Sequence, residues 1–254
     1  MRRALAVTSL VGIMAAAPAA RAQDAPRPAA AQPPAKPSPF SGDVSLGFGL
    51  TSGNKDTATF NGSYEVKFDP RTRNVVKSSG LFLYGKTDGE LTTEQYRLAV
   101  RDEYTFDKRA FVFGELHYLH DRFKGIKYLF APAAGAGYKI IDGKARILAV
   151  SGGVGGVFEQ DYDVPITKTG AVTFEEKFTW KFSKSAAVGQ SFSTLWDIKD
   201  FGDGLYLLGV NLTAALIGRA QLKVEALDSY KSRPPQPALQ QNDVTFITGI
   251  VLKF

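Results

Sequence analysis

The sequence predicts an all-β chain that closes into an antiparallel transmembrane β-barrel of about twelve strands. Three observations carry this expectation: a secretory leader with no later run long enough for a spanning helix, apolar residues that recur at every second position, and an aromatic residue closing the last alternating segment. Met1-Arg2-Arg3 forms a short basic region, Ala4 to Ala17 an apolar core, and Ala20-Arg21-Ala22 a small-x-small cleavage site. Cleavage is expected after Ala22, and the lack of a following Cys argues against a lipoprotein. Beyond the leader no apolar run approaches the roughly 18 residues that a membrane helix needs. The chain has no Cys, so neither a disulfide framework nor a thiolate metal site is available. Without Arg2, Arg3 and Arg21 the 31 basic residues fall to 28 against 25 acidic ones, a net +3 too small to suggest nucleic acid as a partner.

Residues 23 to 39, dominated by Ala and Pro, read as an extended periplasmic linker, since they carry no face that could be buried. The barrel is expected over 40 to 254. From Thr57 to Phe68 the alternation is unbroken: Ala58, Phe60, Gly62, Tyr64, Val66 and Phe68 oppose Thr57, Thr59, Asn61, Ser63, Glu65 and Lys67. Such a strand has one oily and one wet face. The same pattern runs through Glu94 to Phe106, Val172 to Phe182, Gln221 to Ala226 and Asp243 to Phe254. Turn signals between the alternating runs divide the chain into strands at 43–51, 57–68, 75–86, 94–106, 110–120, 126–139, 145–158, 170–182, 186–197, 204–216, 219–230 and 243–254.

The connections orient the barrel, because outer-membrane barrels have short periplasmic turns and longer external loops. Asp107 to Arg109, Ile140 to Lys144, Ser183 to Ser185 and Ile217-Gly218 are compact, and Asp69 to Asn74 is somewhat longer. Thr87 to Thr93, Glu159 to Thr169 and Lys231 to Asn242 form the longer, external set. Aromatic rings then fall at strand ends, as interfacial girdles require. Tyr84, Tyr96, Tyr118, Tyr128, Trp196, Tyr206 and Tyr230 belong to the external girdle; Tyr64, Phe68, Tyr104, Phe106, Tyr138, Trp180 and Phe182 belong to the periplasmic one. Glu176 breaks the pattern by sitting on the oily side, and Arg146 and Lys86 fit only near an interface.

The wet face predicts a polar lumen lined by Glu65, Lys67, Arg97, Arg101, Glu103, Glu115, His117, Glu175, Lys177, Lys181, Lys223 and Glu225. Both signs are interleaved. Either these charges pair into a plug, or they leave a narrow passage for a small polar solute; a barrel of about twelve strands lies between filled and open ones. Other chemistry is poorly represented. His117 and His120 differ by three positions, which places them on opposite faces of a strand and away from any shared metal. Glu159, Asp161 and Asp163 form an acidic loop short of a calcium-binding pattern. Gly152 to Gly156 has no following helix to hold a phosphate, so small residues in a curved or closely packed strand are the better account. No cofactor is implied. The expected partners are outer-membrane lipids and, through the terminal strand ending in Phe254, the barrel assembly machinery. An outer-membrane hydrolase using His120-Asp121 and a soluble periplasmic β-sandwich are the competing classes.

The stretch Ser45 to Thr57, with its turn Thr51-Ser52-Gly53-Asn54 followed by Lys55-Asp56, resembles the opening of the salt-induced outer-membrane protein family. The resemblance covers 40 to 254. It implies a barrel and a location but transfers no activity and no catalytic residue. Gly53-Asn54 is itself a hairpin signal, because both residue types tolerate positive φ.

Overall fold

In the computed structural model the described residues are 38–51, 57–162, 165–234 and 240–254. The leader, most of the linker, the Gly53-Asn54 turn and Asp163 lie outside them. The strands are β1 (Phe40–Thr51), β2 (Thr57–Phe68), β3 (Asn74–Thr87), β4 (Glu90–Thr105), β5 (Ala110–Asp121), β6 (Ile126–Asp142), β7 (Arg146–Asp161), β8 (Thr167–Trp180), β9 (Ala186–Asp197), β10 (Gly204–Ala215), β11 (Ala220–Lys231) and β12 (Asn242–Lys253). Each pairs antiparallel with its chain neighbours, and β1 pairs with β12, so the sheet closes on itself. Among the described residues the closing seam is short, pairing Asp43 to Leu46 with Lys253 to Ile250, and it joins the two ends of the sheet that would otherwise be open edges.

The register carries the alternation around the ring. Val44 lies beside Tyr64, Leu46 beside Gly62 and Phe48 beside Phe60. On the far side of the seam Leu252 lies beside Val44 and Ile250 beside Leu46. Val44, Leu46, Phe48, Phe60, Ile250 and Leu252 point outward and are exposed, Phe48 at 69%, as is Phe246 of β12 at 78%. Burial along β5 shows the inverse arrangement, with Phe111, Phe113, Leu119 and Asp121 buried on the inner face and Val112, Leu116 and Tyr118 exposed on the outer. An outer surface greasier than the inside is the reverse of a water-soluble protein.

At the end bearing Ser38 and Phe254, here called the base, the connections are 69–73, 106–109, 143–145, 181–185 and 216–219. The chain ends are tied down there: Asp69 N–H donates to Pro39 O at 2.8 Å, and Phe254 N–H to Gly42 O at 3.1 Å. In the base turn after β2, Asp69 accepts from Lys67 Nζ at 2.7 Å and from Arg71 N–H at 3.0 Å. Those two bonds, the lysine first, hold the Asp69 carboxyl below its ordinary value of 3.8. A carboxylate lowered on folding adds stability above its unfolded pKa and loses it as pH falls through the folded one. An NMR titration of Asp69 is expected to show a midpoint below 3.8 that rises in Lys67→Met; an unchanged midpoint in that variant would refute the assignment.

At the opposite end, the mouth, two expectations are corrected. The loop expected over Glu159 to Thr169 shortens to 162–166, because β7 continues through Glu159 and Asp161 and β8 begins at Thr167. The loop expected over Thr87 to Thr93 is instead a tight turn at Asp88-Gly89, with φ of 52° and 82°. Two positive-φ residues make a hairpin turn whose twist matches the strands. A bulge between Gly85 and Lys86 then lets β3 and β4 continue into residues read as loop. The difference in length between the two sets of connections therefore rests chiefly on 198–203 and 232–241.

The aromatic ends assemble into ring contacts. Near the mouth, Trp196 Nε1 donates to Tyr206 Oη at 2.9 Å, and the Tyr206 ring lies 5.7 Å from that of Tyr230. Near the base, Phe40 and Phe68 rings are 4.8 Å apart and Trp180 and Phe182 rings 5.8 Å. Along β8, Val172 is level with Trp196, and Trp180 marks the lower belt. At about 3.3 Å per residue and a tilt near 40°, the belts are roughly 20 Å apart, close to the apolar band of an outer-membrane barrel.

Candidate functional site

The lumen contains the densest cluster of charge, and its construction begins with glycine. On the inner face of β6 and β7, Gly135 faces Gly153 and Gly137 faces Ser151. The next strand sets Phe111 beside Gly137 and Phe113 beside Gly135. The two phenyl rings lie over this flat floor: a Cβ on Gly137 would strike the Phe111 ring, and one on Gly153 would come within 3.1 Å of Phe113 Cζ. The Gly-rich segment of β7 thus serves close packing. Arg101 of β4 then stacks on the rings, its guanidinium carbon 3.7 Å from the Phe113 centroid and 5.7 Å from that of Phe111.

From that position Arg101 reaches four partners. Its Nη1 lies 2.8 Å from Glu115 and 2.6 Å from Glu175, its Nε 3.0 Å from Glu103, and its Nη2 donates to Ser151 Oγ at 3.0 Å. Lys77 contacts Glu103 at 2.7 Å, Lys177 contacts Glu175 at 2.8 Å, and His117 Nε2 lies 3.3 Å from Glu115. Strands β4 and β8 are not neighbours in the sheet, so the Arg101–Glu175 pair crosses the lumen. Arg101 and Glu115 are nearly buried, whereas the side chains of His117 and Lys177 are 44% and 59% exposed, so solvent space remains beside the brace.

Two further contacts cross the interior nearer the mouth. Lys231 of β11 pairs with Glu159 of β7. The short 3-10 turn Arg122–Lys124 folds inward: Asp121 caps it by accepting from Lys124 N–H at 3.1 Å and also accepts from Gln95. Lys124, 2% exposed, reaches Asp243 at 3.0 Å and the Gln241 carbonyl at 2.8 Å. Beside these contacts sits an apolar cluster of Leu119, Ile126, Leu129, Ala131, Val157, Ala171 and Leu205, with Leu195 and Leu207 packed against it. Its members share the inner face with the charged residues, which corrects the expectation of a uniformly polar lumen. The physical reason is the narrow ring, in which facing side chains touch and can bury apolar surface against each other.

Of the twelve residues expected to line the lumen, Arg101, Glu103, Glu115, His117, Glu175 and Lys177 come together in the central cluster. Lys223 and Glu225 form their own pair at 3.0 Å on β11. Glu65 lies opposite Asp43 of β1. Lys67 pairs instead with Asp69 at the base. Arg97 lies between Leu81 and Leu119 in register, and its Nε is buried without a hydrogen-bond partner among the described residues. Lys181 lies past the end of β8, exposed, with its N–H donating to Ala145 O at 2.8 Å. Sequence reasoning missed Lys77, Phe111, Phe113, Lys124 and Lys231 as lumen residues, and read Glu159, a β7 strand residue, as part of an acidic loop. A usable signal existed for the phenylalanines, namely Phe-x-Phe followed one strand later by Gly-x-Gly. The histidines point to opposite faces: His120 Nδ1 donates to Lys127 O at 2.7 Å, and its ring lies 5.2 Å from Tyr96 on the outside.

Among solved structures the fold resembles the NanC porin, with 8% identity over 84% of this chain and 100% of that one, at a TM-score of 0.52. It also matches the KdgM porin, with 9% identity over 85% of this chain and 99% of that one, at a TM-score of 0.45. At 8% identity the likeness to the NanC porin establishes a porin-like barrel fold and nothing finer. No curated protein sequence matches the chain. The family profile that does match covers residues 44–254, and the chain belongs to that family, described as protein of unknown function DUF481.

Proposed function

We propose that the protein is a non-enzymatic outer-membrane barrel, oriented with its base toward the periplasm, whose lumen is a narrow, ion-paired passage for small polar solutes. The carrying observation is the combination at Arg101: a brace that crosses the lumen to Glu175, beside Lys177 and His117 side chains that water reaches. A brace without solvent space would favour a purely structural barrel; open space without a brace would favour a wide pore. The inverted polarity and the two aromatic belts support placement in a membrane. The leader at residues 1 to 22 supports export, and the alternating terminal strand ending in Phe254 supports recognition by the barrel assembly machinery. The likeness of Ser45 to Thr57 to the salt-induced outer-membrane family fits the same location.

Planar-bilayer recording of the purified barrel tests the passage. The expected result is discrete openings of low conductance that are insensitive to large neutral polymers. A complete lack of openings from protein that shows the heat-modifiable migration of a folded barrel would overturn the channel and leave a structural envelope component.

A further inference from the structure

On the outer face, Glu176 of β8 stands halfway between the Trp196 belt and the Trp180 belt, and Gln190 of β9 lies one step nearer the Trp180 belt, level with Phe178. Gln190 Nε2 donates to Glu176 Oε2 at 3.0 Å, and no other hydrogen bond to either side chain is found among the described residues. The rings of Phe174 and Phe192, 6.5 Å apart, flank the pair and confirm its outward direction. A carboxyl group and an amide at mid-depth in hydrocarbon are costly, because nothing there supplies the remaining hydrogen bonds. The adjoining outer surface on β6 and β7 is low: Ala134, Ala136 and Gly152 are exposed and small, and Val154 is 63% exposed. Across the ring, β12 instead projects the large ring of Phe246, 78% exposed, from the outer face.

We propose that this face, β6 to β9, is where a second copy of the chain docks within the membrane. Soluble partners and lipid headgroups do not reach mid-depth, and an acyl chain offers neither donor nor acceptor, so the occupant must be an embedded protein surface. A two-fold pairing of this face with itself supplies what is missing. Each Gln190 has one amide hydrogen and its Oε1 to spare and each Glu176 has Oε1, so the amide of one copy meets the carboxyl of the other, reciprocally. The low surface lets the two sheets approach closely enough for those bonds to form.

The inference rests on the membrane placement proposed above, and the test separates the two. The wild-type chain is fractionated, purified in detergent and weighed by light scattering, with the detergent subtracted. Recovery from the outer membrane with twice the chain mass is expected. Outer-membrane recovery at single-chain mass overturns the interface alone, and recovery from the soluble periplasm overturns both readings. Since the chain has no native cysteine, oxidation in intact membranes gives a positional check. Val154→Cys is expected to yield a disulfide-linked dimer and Phe246→Cys none; equal yields, or none from either, contradict the docking face. Adding Gly152→Trp to Val154→Cys is expected to abolish the dimer, because a Cβ at Gly152 meets only Thr173 O at 3.6 Å and the barrel itself tolerates the larger side chain.

Discussion

Arg101→Met is expected to lower the unfolding free energy by about 3 kcal/mol and to make the lumen both wider and more cation-selective. The substitution keeps the aliphatic stem over Phe113 but removes the charge shared by Glu103, Glu115 and Glu175. Breaking a buried ion pair on one side typically costs about 3 to 5 kcal/mol, since the abandoned charges stay where they were. The low end applies here because water reaches Lys177 and His117 beside the network. Removing the brace between β4 and β8 opens the section it crossed, and the three carboxylates then outnumber Lys77 and Lys177, leaving a net negative charge that attracts cations. Denaturant unfolding in detergent gives the first quantity; the reversal potential under a salt gradient gives the second. Neutralising Glu115 and Glu175 on the same background is expected to recover most of the stability but not the narrow section. Wild-type stability together with an unchanged reversal potential in Arg101→Met would contradict the network's role.

The second large effect is expected at Phe113, which is 6% exposed between the glycine floor and the guanidinium. Phe113→Ala should cost about 3 to 5 kcal/mol, the range for emptying a packed aromatic site, because Gly153 and Gly135 have no side chains with which to fill the space. Phe113→Leu keeps most of the volume and should cost under about 1.5 kcal/mol. The contrast separates packing from a general sensitivity of β5. If both variants unfold at the wild-type denaturant concentration, the layered floor, ring and guanidinium do not hold the brace in place. A shared large loss would point instead to an aromatic requirement beyond volume.

The outside of this barrel was legible because the outward-facing side chains obey one rule, repeated on strands whose two faces differ. Thr57 to Phe68 states that rule without interruption and Asp243 to Phe254 with breaks at Ile247, Thr248 and Val251, and both segments became strands close to the expected bounds. The aromatic belts followed from the same logic. The interior was only partly legible. On β5, β6 and β10 the inner face carries Phe111, Phe113, Leu129, Leu205 and Leu207, so both faces are apolar and the period of two is blurred. Charged inner residues could be named, but their partners could not. Glu175 meets Arg101 because ring diameter and stagger bring β4 and β8 face to face, and neither quantity is written in a local stretch of sequence. The inward turn at Arg122–Lys124 escaped notice for the opposite reason. A short polar connection reads as an ordinary loop, and only the buried Lys124 shows that it closes over the interior. Glu176 was visible as an anomaly from the start; its position midway between the belts makes the anomaly interpretable.

The account depends on side chains meeting across the lumen, and native chemistry can test that without any substitution. Zero-length carbodiimide coupling joins a lysine to a carboxylate only where the two are in contact. Applied to the folded protein and followed by peptide mass mapping, it is expected to link Lys231 to Glu159 and Lys124 to Asp243, joining segments that are not neighbours in the sheet. Coupling confined to pairs on one strand or on adjacent strands, such as Lys177 with Glu175 or Lys77 with Glu103, would show that the interior is open where the structure closes it.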